Sequence, residues 1–282
     1  MTHAWDGYVR YAWGADELQP LTRSGVRHGQ LGGLGASIID AVSTLWLMDL
    51  REEFQRYILL SAPFLTSCLP ACLPVKAVLW AALLLSNRRF GCRARDWIER
   101  SLDFEIELEC SLFEVIIRVL GGLVSAHQLS GDKLLLARAD DLADRLLPAF
   151  DTPSGIPGND ATLPRTPPGG GGGNVSLAQL GSNLLELGAL SALTRNDKYA
   201  KAAERGLCFL HAAHPQQVDI FLSSRTRLPL YRSASPRCTP GFMRIPLLQG
   251  LLPSMVEQDT GRPLNDLFTI GAPADSYYEG AS

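Results

Sequence analysis

Glu114 and Arg118 are the residues of this chain whose chemistry stands out first. They sit inside an apolar run made of Leu112, Phe113, Val115, Ile116, Ile117, Val119 and Leu120. Taking a carboxylate and a guanidinium out of water costs several kcal/mol each before pairing returns anything. Four residues apart on a helix, the two share one face. Gly121, Gly122 and Ser125 continue that face as small residues. A helix that is apolar almost all round is a buried one, so the expectation is a narrow polar groove on a buried helix. Two accounts of the pair stay open: a structural buried ion pair, and a carboxylate at a catalytic centre. A strand is a rival to the helix, because the even spacing would also place both charges on one face.

Other elements must position this pair. Residues 35–54 read as a helix, with Ile38, Ile39, Val42, Leu45, Trp46 and Leu50 at helical spacing and Asp40 and Ser43 interrupting. Residues 5–32 read as a loop with a short helix, and residues 95–101 as a short amphipathic helix before an acidic loop over 103–109. Ser130-Gly131-Asp132 closes the central helix and caps the next. That next helix, 133–150, carries Leu135, Leu136, Ala139, Leu142, Ala143, Leu146 and Leu147 on one side. Arg138, Asp141 and Asp144 form its solvated side. Residues 151–174, rich in proline and glycine, read as a flexible loop. The run Gly169–Gly173 is not followed by the Lys-Ser/Thr of a phosphate loop. Helices over 176–194 and 196–213 then echo the preceding pair. Helical hairpins that repeat along a chain point to a layered toroid or solenoid. The fold class expected is all-α.

Two stretches lack any period. Residues 57–93 are apolar but interrupted by Pro63, Pro70 and Pro74, and residues 218–248 are basic. Both read as inserts outside the packed core of a single domain spanning 1–282. Neither offers the ~20 unbroken apolar residues of a membrane span. The formal net charge of -3 gives no basic footprint for nucleic acid. Six cysteines in 282 residues do not make a disulfide scaffold, and no metal ligands are assigned. The N-terminal residues show no signal peptide. Asn174-Val175-Ser176 fits a glycosylation acceptor.

FEVIIRVLGGLVSAHQLSGD, residues 113–132, resembles the signature of the class I α-1,2-mannosidases, glycoside hydrolase family 47. WDGYVRYAWGADELQP (5–20), GGLGASIIDAVSTLWLMDL (32–50), LLPAFDTPSGIP (146–157) and TIGAPADSYYE (269–279) resemble that family in the same order. The sequence reads continuously in the family pattern when the two inserts are removed. It departs from the pattern at Ser43, Gln179 and Pro273. The resemblance implies a partial (α/α) toroid whose complete form has seven hairpins. It also implies inverting hydrolysis of terminal α-1,2-linked mannose on mannose-rich N-glycans, in the endoplasmic reticulum or Golgi lumen. Glu114 matches the general acid and Asp275 a second catalytic carboxylate, while Arg118 and Glu186 match residues near the sugar. Without the resemblance, Asp275 reads as a helix cap. The resemblance further implies a Ca2+ ion, although the family's third catalytic glutamate and calcium-holding threonine lie in a segment outside these residues. The expectation is therefore that residues 1–282 alone do not cleave at a useful rate. The other class of function is a non-catalytic mannose-binding protein of glycoprotein quality control, like the ER-degradation-enhancing branch.

Overall fold

The structure is a computed structural model, and it describes residues 1–27, 30–50, 94–170, 173–214 and 251–281. Both stretches read as inserts fall outside the described residues. The described elements, in order, are helix α1 (Thr2–Tyr11), strands β1 (Glu17–Gln19) and β2 (Ser24–Val26), helices α2 (Ala36–Leu47) and α3 (Ala94–Arg100), and strand β3 (Leu108–Ser111). They continue with helix α4 (Leu112–Ser130) and helix α5 (Lys133–Leu146), which ends in a 3-10 turn over Leu147–Phe150. Strands β4 (Asp160–Leu163) and β5 (Asn174–Ser176) precede helices α6 (Leu177–Thr194) and α7 (Lys198–Ala213). Strand β6 (Met255–Glu257) and helix α8 (Asp275–Ala281) follow.

The central helix forms where its apolar run predicts. Leu112, Val115, Ile116, Val119, Leu120 and Leu123 are buried. It is not uniform, because Val115–Leu120 widens into a π turn. Such turns occur often at functional sites. Ser111 caps its start, its hydroxyl accepting from the Glu114 N–H at 3.4 Å. Gly131 ends it in the left-handed conformation, φ 72°. Asp132 then caps α5, accepting from the Leu134 N–H at 2.9 Å and pairing with Arg95 Nε of α3 at 2.9 Å. One acidic side chain thus ties the α4–α5 turn to α3.

On α5, Leu135, Ala139, Leu142, Ala143 and Leu146 are buried as expected. Its polar side is engaged: Asp141 pairs with Arg145 and Asp144 with Lys198 of α7. On α2, Ile38, Ile39, Val42 and Leu45 are fully buried. Helix α2 meets α4 at Gly122, where a Cβ would stand 2.7 Å from the Ile39 carbonyl oxygen. Helix α8 crosses α6 at Gly181, where a Cβ would stand 2.2 Å from the Tyr277 Cα. The absence of a side chain at these two positions sets the helix spacing.

The sequence expectations need refining in three places. The short helix expected within 5–32 is the end of α1, which starts at Thr2, and the loop expected after it holds a hairpin. Trp5 and Tyr8, three apart and both buried, are the stripe that makes α1 pack. The helical class expected holds, and among the described residues three antiparallel two-stranded ribbons are added to it: β1–β2, β3–β4 and β5–β6. Finally, most of 151–174 is not a flexible loop. Thr152, Ser154, Ile156, Ala161, Leu163 and Thr166 are buried. Buried backbone must find partners, and here Gln258 supplies them, its amide donating to the Gly169 carbonyl at 3.0 Å. Ser154 in turn donates to the Gln258 carbonyl at 2.6 Å.

By length and composition α4 would suffice to cross a membrane. Its apolar residues instead belong to the main core shared with α2, α5 and α6.

Candidate functional site

A cavity of about 200 Å³ opens where β1, α2 and α4 converge. Asp16, Glu17, Ser37, Asp40, Glu114 and Arg118 supply most of its polar lining, with Gln30, Leu31 and Ala36 completing it. Sites for drug-sized ligands run to about 300–1,000 Å³, so this space suits one ring rather than an oligosaccharide. Four carboxylates and one guanidinium make its wall acidic.

Each polar side chain is held by a local structural cause. Glu114 stands in the first turn of α4, whose entry is anchored on both sides. The Ser111 N–H donates to the Gln30 carbonyl at 2.8 Å, and the Leu112 N–H to the Asn159 carbonyl at 2.9 Å. Asp16 is 1% exposed and accepts from the Gly33 N–H at 2.8 Å and the Ala36 N–H at 3.1 Å. It therefore fixes the start of α2. The Ser37 hydroxyl donates to the Asp16 carbonyl at 2.6 Å. One helical turn on, Asp40 projects into the same cavity.

Arg118 organises the acidic wall. Its Nε donates to Glu114 Oε2 at 2.5 Å, and Nη1 stands 3.6 Å from Asp40 Oδ2. The Glu114 hydrogen bond is the main reason the guanidinium holds its proton more tightly than usual, with Asp40 adding to it. Asp40 titrates above the ordinary carboxylate range: burial raises it, Arg118 pulls it down in part, and Glu114 raises it again. Of the two accounts of the pair, the structural buried ion pair does not hold, because the Arg118 side chain is 43% exposed and that of Glu114 24%. The pair lies on the one side of α4 that faces the cavity rather than the core.

Glu186 and Asp275 do not line this cavity. Glu186 lies against α4 farther along the same stripe, since a Cβ on Gly121 would stand 3.2 Å from the Glu186 Cγ. Burial pushes its carboxyl up to about 7. Asp275 is the first residue of α8, with Oδ1 accepting from the Ser276 N–H at 2.9 Å. The segment before it is tied to α6 by the Ala178 N–H, which donates to the Pro273 carbonyl at 2.9 Å. Gln179 forms a capping box with Ser176 at the start of α6.

Sequence reasoning passed over Asp16, Glu17, Gln30 and Ser37, and treated Asp40 only as a break in a helix. The signal for Asp40 was present. Ser37 and Asp40 are three apart on an otherwise apolar helix, which places them on one face. Asp16 carried no comparable signal, because its role depends on backbone N–H groups of the 33–36 turn. Among the described residues no group of three or more His, Cys, Asp or Glu is placed to hold a metal ion.

A model of the family described as glycosyl hydrolase family 47 matches residues 1–62 and 79–221. Glu114, Arg118 and Glu186 fall inside the match, and Asp275 beyond it. Over 283 residues the chain is 35% identical to a mannosyl-oligosaccharide 1,2-alpha-mannosidase of Arabidopsis thaliana, covering 99% of this chain and 38% of that protein. It is 32% identical over 280 residues to the human endoplasmic reticulum mannosyl-oligosaccharide 1,2-alpha-mannosidase, covering 98% of this chain and 30% of that one. The chain thus spans about a third of the length of these relatives. Its fold is similar to the solved structure of an alpha-1,2-mannosidase from Trichoderma reesei. The TM-score is 0.63 at 22% identity, over 99% of this chain and 47% of the other.

Proposed function

The chain belongs to glycosyl hydrolase family 47, and on that premise we propose that its cavity receives a terminal α-1,2-linked mannose of an N-glycan for hydrolysis. The observation that carries this reading is the Glu114–Arg118 pair on the cavity wall. Arg118 engages Oε2 of Glu114, which leaves Oε1 as the oxygen able to meet a leaving group. Protonated, Glu114 gives its proton to the departing glycosidic oxygen. In an inverting hydrolysis a second carboxylate activates water across the ring, the role proposed for Asp275. Arg118 and Glu186 take the part of sugar-holding residues. The toroid of seven hairpins and a place in the endoplasmic reticulum or Golgi lumen belong to the same proposal. They are supported by the relatives' names and by the shared fold.

The family is generally calcium-dependent. Among the described residues the side chains do not group to fit such an ion. Asp275 does not line the cavity, and residues 1–282 alone are expected to bind mannose without useful turnover. Its absence from the lining is what the second reading, a non-catalytic mannose-binding protein, draws on. The experiment is to incubate residues 1–282 with calcium and a mannose-rich N-glycan and measure released mannose. Release that disappears in Glu114→Gln would establish hydrolysis by these residues and overturn the expected inactivity. Release that persists in Glu114→Gln would remove Glu114 from the mechanism.

A further inference from the structure

Asn174-Val175-Ser176 takes no part in lining the cavity, and the fold treats its two ends differently. Asn174 opens β5 opposite Glu257 of β6 and is exposed. Its carbonyl accepts from Asn159 Nδ2 at 2.8 Å, while among the described residues no hydrogen bond engages its own side-chain amide. Val175 and Ser176 are buried. An asparagine two residues before a serine, with no proline between, is the acceptor pattern for N-linked glycans, which are bulky and need a surface position. The other asparagines of the chain have no serine or threonine two residues on. We propose that Asn174 is an N-glycosylation site, taking an oligosaccharide from a lipid-pyrophosphate donor. The inference rests on the proposed lumenal place of the chain, which is reached through the endoplasmic reticulum.

In the transfer the bond between the sugar C1 and the pyrophosphate breaks and a C1–Nδ2 bond forms. Nδ2 gives up one proton, the lipid pyrophosphate leaves, and nothing is oxidised or reduced. The acceptor pattern includes the serine hydroxyl, and the folded chain withholds it. Ser176 is 7% exposed and caps α6, its hydroxyl accepting from the Gln179 N–H at 3.2 Å and donating to Gln179 Oε1 at 3.1 Å. The Ser176 N–H donates to the same Oε1 at 2.9 Å. Residues Asn174, Val175 and Ser176 also pair with β6. Both α6 and β6 follow the acceptor in the chain. It is therefore open while the chain is being made and closed once those elements are in place, so attachment precedes folding. A glycan on the exposed Asn174 amide leaves the capping box intact.

The test translates residues 1–282 behind a cleavable secretory leader in the presence of microsomes. The leader places the chain in the lumen whatever its own address, and protease protection selects the lumenal chains. One slower-migrating band, collapsed by peptide N-glycosidase, should appear. It should vanish in Asn174→Gln and persist in Ser176→Thr, which keeps a capping hydroxyl. Asn174→Gln should melt with the unglycosylated parent, since no hydrogen bond of the side-chain amide is lost. The parent refolded without a glycan, then given solubilised transferase and lipid-linked donor, should stay unshifted while an acceptor peptide in the same tube is modified. A protease-protected parent that runs with Asn174→Gln would overturn the proposal. A refolded parent modified as fully as the microsomal one would overturn attachment before folding. Failure of the lumenal reading is seen separately, as native protein outside the lumenal fraction of its source cells.

Discussion

Arg118 reaches two carboxylates from different helices, with Nε 2.5 Å from Glu114 Oε2 on its own helix and Nη1 3.6 Å from Asp40 Oδ2 on α2. The half-exposed guanidinium contributes little to stability, because exposed ion pairs are worth about 0–1 kcal/mol. Its value lies in orientation. Arg118→Met should change the melting free energy by less than about 1 kcal/mol. It should weaken binding of an α-1,2-linked mannobiose by about 10- to 100-fold, the range of one charge-assisted hydrogen bond. Calorimetry on the parent and Arg118→Met, with matched melts, checks the split.

Asp40 offers a pH test of the same cluster. Its folded-state carboxyl titrates above the ordinary value of 3.8, with burial the first cause. A raised carboxylate binds its proton more tightly folded than unfolded. Stability therefore falls as pH rises from the unfolded value through the folded one. Asp40→Asn should flatten that fall on the alkaline side of 3.8, as read from urea midpoints at successive pH values. An unchanged slope would mean that the cavity does not desolvate Asp40.

Three glycines should rank by what a methyl group would strike. Gly181→Ala drives a Cβ to 2.2 Å from the Tyr277 Cα, and only separating α6 from α8 relieves it. A loss of about 3 kcal/mol or more is expected. Gly122→Ala meets the Ile39 carbonyl oxygen at 2.7 Å and should cost about 1–3 kcal/mol. Gly121→Ala meets the Glu186 Cγ at 3.2 Å, a contact a side chain can yield to. Helix propensity returns up to about 1 kcal/mol there, so its net effect should be near zero. Denaturant titrations of the three variants test the order.

Asp16 holds the turn before α2 through two backbone N–H groups while fully buried. Asp16→Ala leaves both donors without that acceptor, and about 1–3 kcal/mol of stability should be lost per unsatisfied group. Amide exchange at Gly33 and Ala36 should accelerate more than at residues inside α4.

The helices were legible because their causes are local. The stripes on α2 and α5, the Ser130-Gly131-Asp132 stop and cap, and the apolar run of α4 all lie within a few residues. The hairpin 17–26 was not legible although its pairs, from Glu17–Val26 to Gln19–Ser24, are local. The pinning of 151–170 was not legible because its cause is distant in sequence: Ser154 finds its acceptor at Gln258, 104 residues away. The site divides in the same way. The Glu114–Arg118 pair could be read from its spacing alone. Its exposure could not, because that depends on β1 and α2 leaving one side of α4 open. The π turn in α4 also left no mark on a periodicity that ordinary helix already satisfied.

The central claim is that the cavity of Glu114, Arg118 and Asp40 receives a terminal α-1,2-linked mannose. The most direct measurement is an amide and guanidinium NMR titration of residues 1–282 with α-1,2-mannobiose, with α-1,6-mannobiose as control. The account predicts saturable shifts at Arg118 Nε–H and at the amides of Ser37 and Glu114. These should be stronger for the α-1,2 disaccharide and lost in Arg118→Met. Shifts that cluster elsewhere, or that are equal for both linkages and survive Arg118→Met, would contradict it.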